Sequence, residues 1–290
     1  MVLGADGMLG SDVVAEFRQL GWDVVAPLRD EVDITKAEDL EHVRVRDFGN
    51  LDWIVNCAAY TNVDKAEDEF YEASAANGIA PGILAYICAR NGWRFLHIST
   101  DFVFDGESDQ PYQEGYFPKP LGKYGMTKLM GERNAAKENP DAIICRTAWL
   151  YGPTGSSFPR TIIKAWLDGK ELRVVDDQIG SPTYTGEMAR VMADMIQADL
   201  AGGLYHAAGP DAMTWYHLAL LALETYRDSV LGESREIAVE AIGTEEWPTS
   251  APRPKYSVLS SGKLFALGVS PMRSTQACLV DFCRRLPRIL

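Results

Sequence analysis

Tyr124 and Lys128 stand four residues apart in the run Lys123-Tyr-Gly-Met-Thr-Lys128. That spacing puts a phenol and an ammonium on one face of a helix. A phenol can give a proton to a carbonyl oxygen as hydride reaches its carbon. Its pKa of ~10 lies about three units above working pH, so bringing it into range takes roughly 4 kcal/mol of preferential phenolate stabilisation. A fixed lysine cation supplies part of that, and an oxidised nicotinamide would add positive charge. Thr100, closing an apolar run, can hydrogen-bond the developing oxyanion and orient the substrate. Far upstream, Gly4, Gly7 and Gly10 punctuate Gly4-Ala-Asp-Gly-Met-Leu-Gly10. After a strand, such a turn approaches a pyrophosphate and opens a helix whose free N–H groups face the phosphates. The spacing differs by one residue from Gly-x-Gly-x-x-Gly. Each motif alone is common, as a surface Tyr/Lys pair or a plain strand–helix turn. Their order, with Thr100 between them, reads as an oxidoreductase.

Something must hold these groups together, and the chain alternates strand and helix signals. Met1–Leu3, Asp23–Ala26, Leu51–Ala59, Phe95–Ser99 and Ala142–Arg146 read as strands. Gly10–Leu20, Ala73–Asn91 and Tyr124–Asn139 read as helices, stopped by Gly21, Gly92 and Pro140. Strict alternation predicts an α/β fold, a Rossmann-like doubly wound parallel sheet. Beyond Tyr151 the pattern loosens. A helix over Pro159–Asp168, a strand over Leu172–Val175, a helix over Gly186–Ala198, a strand over Gly203–Ala207 and a helix from Trp215 precede a Pro-rich segment, Glu246–Pro254. We expect residues 1–152 plus about 180–210 to form the dinucleotide-binding domain. Residues from about 153–179 plus 211–290 would form a smaller C-terminal α/β substrate lobe.

Composition excludes several classes. The 290 residues are 47% hydrophobic and 24% charged, with a formal net charge of -13, an ordinary globular balance. No basic stripe suits nucleic acid. Bulk acidity repels an anionic substrate at long range, so local cations are needed; Arg160, Lys164, Arg253 and Lys255 are candidates. The five cysteines form no Cys-x-x-Cys and the four histidines are scattered, which reads as reduced core thiols and no metal cluster. No apolar run suits a signal sequence or a membrane span, and a cytoplasmic location is expected.

Nucleotide choice turns on the end of the second strand, where an acid suits a ribose hydroxyl and an arginine a 2′-phosphate. Here Arg29, Asp30 and Glu31 adjoin. Arg29 favours NADPH, with NADH the alternative, and Asp33 and Ile34 could flank the adenine. A turn into a helix capped near Thr35 accounts for them equally well.

Longer blocks carry a resemblance: Asn56-Cys-Ala-Ala-Tyr-Thr-Asn-Val-Asp-Lys-Ala-Glu67, Ser99-Thr-Asp-Phe-Val-Phe-Asp-Gly106, Arg146-Thr-Ala-Trp-Leu-Tyr-Gly152 and Val175-Asp-Asp-Gln-Ile-Gly-Ser-Pro-Thr-Tyr-Thr185, with Gly203–His206 and Arg253–Leu259. The chain resembles the extended short-chain dehydrogenase/reductases and, within them, the dTDP-4-dehydrorhamnose reductases. That resemblance implies hydride transfer from NAD(P)H to C4 of dTDP-4-dehydro-L-rhamnose, giving dTDP-L-rhamnose for cell-surface polysaccharide. It implies Tyr124 as proton donor, Lys128 as its tuner and holder of the nicotinamide ribose, and Thr100 as third member. Gly4, Gly7 and Gly10 would flank the pyrophosphate with Asp6, Met8 and Leu9, and Ala58, Ala59 and Tyr60 would line the cofactor. Val103 and Trp149 would contact the sugar, with Thr61 near by. For Trp149, a core position at a strand end is the competing reading.

The chain departs from the family at Phe102, where a tyrosine is usual, and in the tail Val280–Leu290. Some family members form a Mg2+-linked homodimer through carboxylates. Asp12 is the nearest candidate here, and the sequence assembles no site around it. Two alternatives stay open: a reductase or epimerase of another nucleotide 4-keto sugar, and a non-catalytic regulatory subunit of the same fold. Retention of Thr100, Tyr124 and Lys128 argues against the last.

Overall fold

The computed structural model describes residues 1–44, 48–232 and 234–286. The last residues of the divergent tail, 287–290, lie outside them. Five parallel strands form the central sheet: β1 (Val2–Leu3), β2 (Trp53–Asn56), β3 (Arg94–Thr100), β4 (Ile143–Thr147) and β5 (Gly203–His206), in that spatial order. The helices of eight or more residues are α1 (Met8–Gln19), α2 (Ala37–Arg44), α3 (Ala80–Asn91), α4 (Lys123–Glu138), α5 (Phe158–Leu167), α6 (Thr185–Gln197), α7 (Trp215–Tyr226) and α8 (Thr275–Arg285).

Strand residues alternate between two covered faces, as a parallel sheet requires. Val55, Leu96 and Ile143 face α1 and α6, packing with Val13, Phe17, Met188 and Met192. Ile54, Phe95 and Ile144 face the other side, packing with Leu84, Cys88 and Ala135. The segment carrying α6 and β5 returns to this sheet, as expected, with Arg146 beside His206 in the register. A third cluster joins Ile163 and Trp166 of α5 to Leu218 and Leu223 of α7 and Leu279 and Phe282 of α8.

Two differences from the sequence reading bear on the site. No strand forms over Asp23–Ala26; one bond, Val2 N to Val25 O at 2.9 Å, ties that segment to the outer edge of β1. Since β2 lies on the other side of β1, the chain reverses direction at β1, where such sheets open a ligand crevice. The Ala73–Asn91 helix starts earlier, at Phe70, and widens into a π-turn over Ala75–Ile79 before α3. Its stop is as read, Gly92 at φ +73.

Candidate functional site

The glycine turn is built by close approach. Gly4 sits at φ +73, and a Cβ there would fall 2.7 Å from Ala58 N. A Cβ on Gly10 would fall 2.0 Å from Gly4 O. Gly7 caps α1 with no side chain, and the first turn carries no acid. The N–H groups of that turn and the positive end of the helix are left for an anion.

The second wall is the 58–60 loop. Asn77, fully buried within the π-turn, clamps it: Tyr60 N donates to Asn77 Oδ1 at 2.9 Å, and Asn77 Nδ2 donates to Tyr60 O at 3.0 Å and Thr127 Oγ1 at 3.2 Å. Such turns recur at functional sites because they re-aim one side chain. Tyr60 donates its hydroxyl to Glu69 Oε2 at 2.6 Å, and that bond pushes the phenol up to about 12.

Thr100 ends β3, and Tyr124 and Lys128 lie on the first turns of α4. Gly125 permits this approach, because a Cβ there would fall 2.1 Å from Phe102 O. Thr100 Oγ1 donates to Asp101 Oδ1 at 3.1 Å and accepts from Phe102 N at 3.2 Å. Burial pushes the Tyr124 phenol up to about 12, while a hydrogen bond with Thr100 works the other way. Phe102 packs edge-on against the Tyr124 ring, centroids 5.6 Å apart.

The phenol and the ammonium share a helix face but not a hydrogen bond. Among the described residues no hydrogen bond joins Tyr124 to Lys128; one helical turn carries the lysine down to the sheet, where Nζ donates to Ile98 O at 2.6 Å. Burial lowers Lys128 to about 8, with Glu132 and Cys57 opposing. The phenol is therefore protonated at rest throughout the working range, the state an acid needs.

These groups share one crevice of about 1130 Å³. It is lined by Gly4, Asp6, Gly7, Met8 and Leu9 at one end, by Arg29, Asp33 and Ile34, by Ala58 through Thr61, and by Thr100, Tyr124, Lys128 and Trp149. Two sequence candidates are not brought in. Gly10 sits beneath the turn, where its role is to admit the Gly4 carbonyl. The Val103 side chain is fully buried among Phe104, Tyr112, Leu129 and Ala148, because the short helix at residues 101–103 turns it into the core.

Of the four proposed cations only Arg253 lines the crevice, held to Asp64 at 2.9 Å. Arg160 donates to Pro153 O and Gly155 O, and Lys164 pairs with Asp168 at 3.0 Å. The Lys255 carbonyl accepts from Ile179 N. Arg29 donates from Nε to Asp33 Oδ2 at 3.3 Å and is 80% exposed, free to be redirected. Four cysteines are buried, and the fifth, Cys57, lines the crevice with its thiol pushed by burial to about 12.

Among the lining residues that the sequence reading did not single out are Asp101 and Trp215. Asp101 is buried, with Oδ2 unpartnered, and burial raises its carboxyl to about 6. Its place in Ser99-Thr-Asp was the available signal. Trp215 opens α7 behind its N-cap Thr214 and stacks on Trp149, centroids 3.5 Å apart; only the Thr–Trp helix start hinted at it.

Asp12 does not fit a Mg2+ ligand. Its Oδ2 accepts from Thr185 Oγ1 at 2.5 Å and its Oδ1 from Arg285 Nη2 at 2.6 Å. No cluster of three metal-ligating side chains occurs among the described residues. No helix among them is long and apolar enough to cross a membrane.

Known proteins resemble this chain over nearly its whole length. The dTDP-4-dehydrorhamnose reductase of Mycolicibacterium smegmatis is 38% identical over 283 residues, 97% of this chain and 84% of that protein. The dTDP-4-keto-6-deoxy-D-glucose reductase of Streptomyces niveus is 36% identical over 97% of this chain and 95% of its own. The crystal structure of the Bacillus anthracis dTDP-4-dehydrorhamnose reductase in complex with NADP superposes with a TM-score of 0.90. It is 32% identical and covers 97% of this chain and 96% of that one. The family model described as the RmlD substrate binding domain matches residues 1–287, and the chain belongs to that family.

Proposed function

We propose that this protein reduces the C4 keto group of dTDP-4-dehydro-L-rhamnose to dTDP-L-rhamnose with NAD(P)H. The observation that carries the proposal is the convergence of Thr100, Tyr124 and Lys128 on a crevice whose far end is the glycine turn. A nicotinamide bound there supplies the hydride. The α1 N-terminus and the glycine turn hold a pyrophosphate, and the 58–60 loop, clamped by Asn77, forms a wall beside it. Tyr124 holds the proton that the C4 oxygen takes, and the Thr100 hydroxyl, turning from Asp101, donates to that oxygen as charge develops. Lys128, anchored on the Ile98 carbonyl, keeps a positive charge beneath the site below about pH 8. Arg253 is the cation nearest to hand for the substrate diphosphate, once its pairing with Asp64 is shared. Arg29 beside Asp33 supports NADPH over NADH. Residues 1–152 plus about 180–210 serve as the cofactor domain, and about 153–179 plus 211–290 as the substrate lobe.

A second reading, reduction of another nucleotide 4-keto sugar, is favoured by the 36% identity to the Streptomyces niveus enzyme. The test offers deuterium-labelled NADPH with each keto sugar and analyses the product by NMR. Deuterium at C4 of dTDP-L-rhamnose, formed faster than the competing product, supports the first reading. Transfer only to the other sugar replaces it with the second.

A further inference from the structure

We infer that Trp215 is a positioning residue that clamps Trp149 edge-on to the crevice, and so decides which 4-keto sugars reach Tyr124 in register. The inference rests on the reductase reading above. Trp149 has φ +44, a left-handed conformation that a bulky residue adopts only when its surroundings impose it. Three contacts impose it here. The indole lies parallel to that of Trp215, centroids 3.5 Å and planes 5° apart. On its other side a Cβ at Gly180 would fall 2.2, 2.5 and 2.6 Å from Cε2, Nε1 and Cζ2. Near-equal distances to three adjoining ring atoms put Gly180 against the ring face. The backbone is pinned as Thr183 N donates to Trp149 O at 3.1 Å.

Trp215 cannot easily swing away. Its Nε1 donates to Gln178 Oε1 at 3.2 Å, and buried Gln178 donates from Nε2 to Thr244 Oγ1 at 3.0 Å. Phe158 tilts against it, centroids 4.7 Å apart. With both faces covered, Trp149 offers the crevice its edge. An aromatic face accepts the C–H side of many pyranoses, whereas an edge carrying one N–H donor discriminates by the position of a hydroxyl.

The experiment compares wild type with Trp215→Ala and Trp215→Phe, using dTDP-4-dehydro-L-rhamnose and dTDP-4-keto-6-deoxy-D-glucose. Stacked indoles give an exciton couplet in circular dichroism, which reports the clamp directly. Trp215→Ala should lose the couplet and raise KM for the preferred sugar about tenfold. It should narrow the kcat/KM ratio between the sugars by a similar factor, with kcat and NADPH affinity little changed. Trp215→Phe, which keeps a ring on Trp149, should recover most of the KM. Loss of the couplet with KM and discrimination unchanged overturns the inference. Should Trp215→Ala not fold, Gly180→Ala displaces the indole from its other face and must give the same KM change; an unchanged KM overturns it equally. Wild-type protein that binds NADPH and turns over neither sugar is a separate failure, that of the reductase reading itself.

Discussion

Thr100 Oγ1 links a buried acid to the half-buried phenol of Tyr124, and the two respond differently to pH. Asp101 is raised from 3.8 to about 6, chiefly by burial, with hydrogen bonds from Ser257 and Thr100 opposing. The folded state therefore keeps a proton between about pH 4 and 6 that the unfolded chain gives up. This group's contribution to stability is greatest below pH 4 and falls as pH rises through about 6, by about 3 kcal/mol. Asp101→Asn should remove that slope, so the variant gains on wild type between pH 4 and 7. Denaturant unfolding across that range checks it, and parallel curves would argue against a buried, charge-starved carboxyl. At Tyr124 the same burial works for the chemistry, because a phenol held near 12 stays protonated until its proton is called on.

At the scale of elements, the site depends on backbone segments that meet without side chains between them. Gly10→Ala would set a Cβ 2.0 Å from Gly4 O, forcing the turn away from α1. We expect NADPH affinity to fall about tenfold to a hundredfold, roughly 1–3 kcal/mol, measured by fluorescence titration, with a smaller effect on KM for the sugar. Much of this frame was legible beforehand. Alternating runs such as Ile54-Val55 and Phe95-Leu96 fix a buried parallel sheet, and the Gly4, Gly7 and Gly10 spacing fixes its first turn. The parts that were not legible depend on tertiary partners. Asp23–Ala26 has strand chemistry but only a single ladder bond to β1. Nothing in Ala75–Ile79 announces a π-turn, whose purpose emerges only with the Asn77–Tyr60 clamp. Lys128 sits at the anticipated spacing, yet its partner is a strand carbonyl brought in by the fold. Trp149 was recognised from its sequence block, whereas Trp215 comes from a segment 66 residues further on and only packing pairs them.

Across the whole molecule, C-terminal segments are tied back to the N-terminal half by ion pairs. Arg285 of α8 reaches Asp12 of α1 at 2.6 Å and the Tyr184 hydroxyl at 2.9 Å. Arg253 ties the Pro-rich segment to Asp64, whose Oδ1 also accepts from Ala251 N. Asp12 is buried while Arg285 is about half exposed, so solvent screens the pair in part. Arg285→Ala should cost about 1–3 kcal/mol by stranding a buried carboxylate, and Arg285→Lys should recover some of it; chemical denaturation reads both. The crevice lies where these pieces converge, and its chemistry turns on one proton. The most direct measurement is the rate of NADPH oxidation with dTDP-4-dehydro-L-rhamnose by wild type and by Tyr124→Phe, with NADPH binding measured on both. Wild type should oxidise NADPH promptly, and the variant should lose about a hundredfold or more of that rate at unchanged NADPH affinity. A variant that turns over as fast as wild type would contradict Tyr124 as the proton donor.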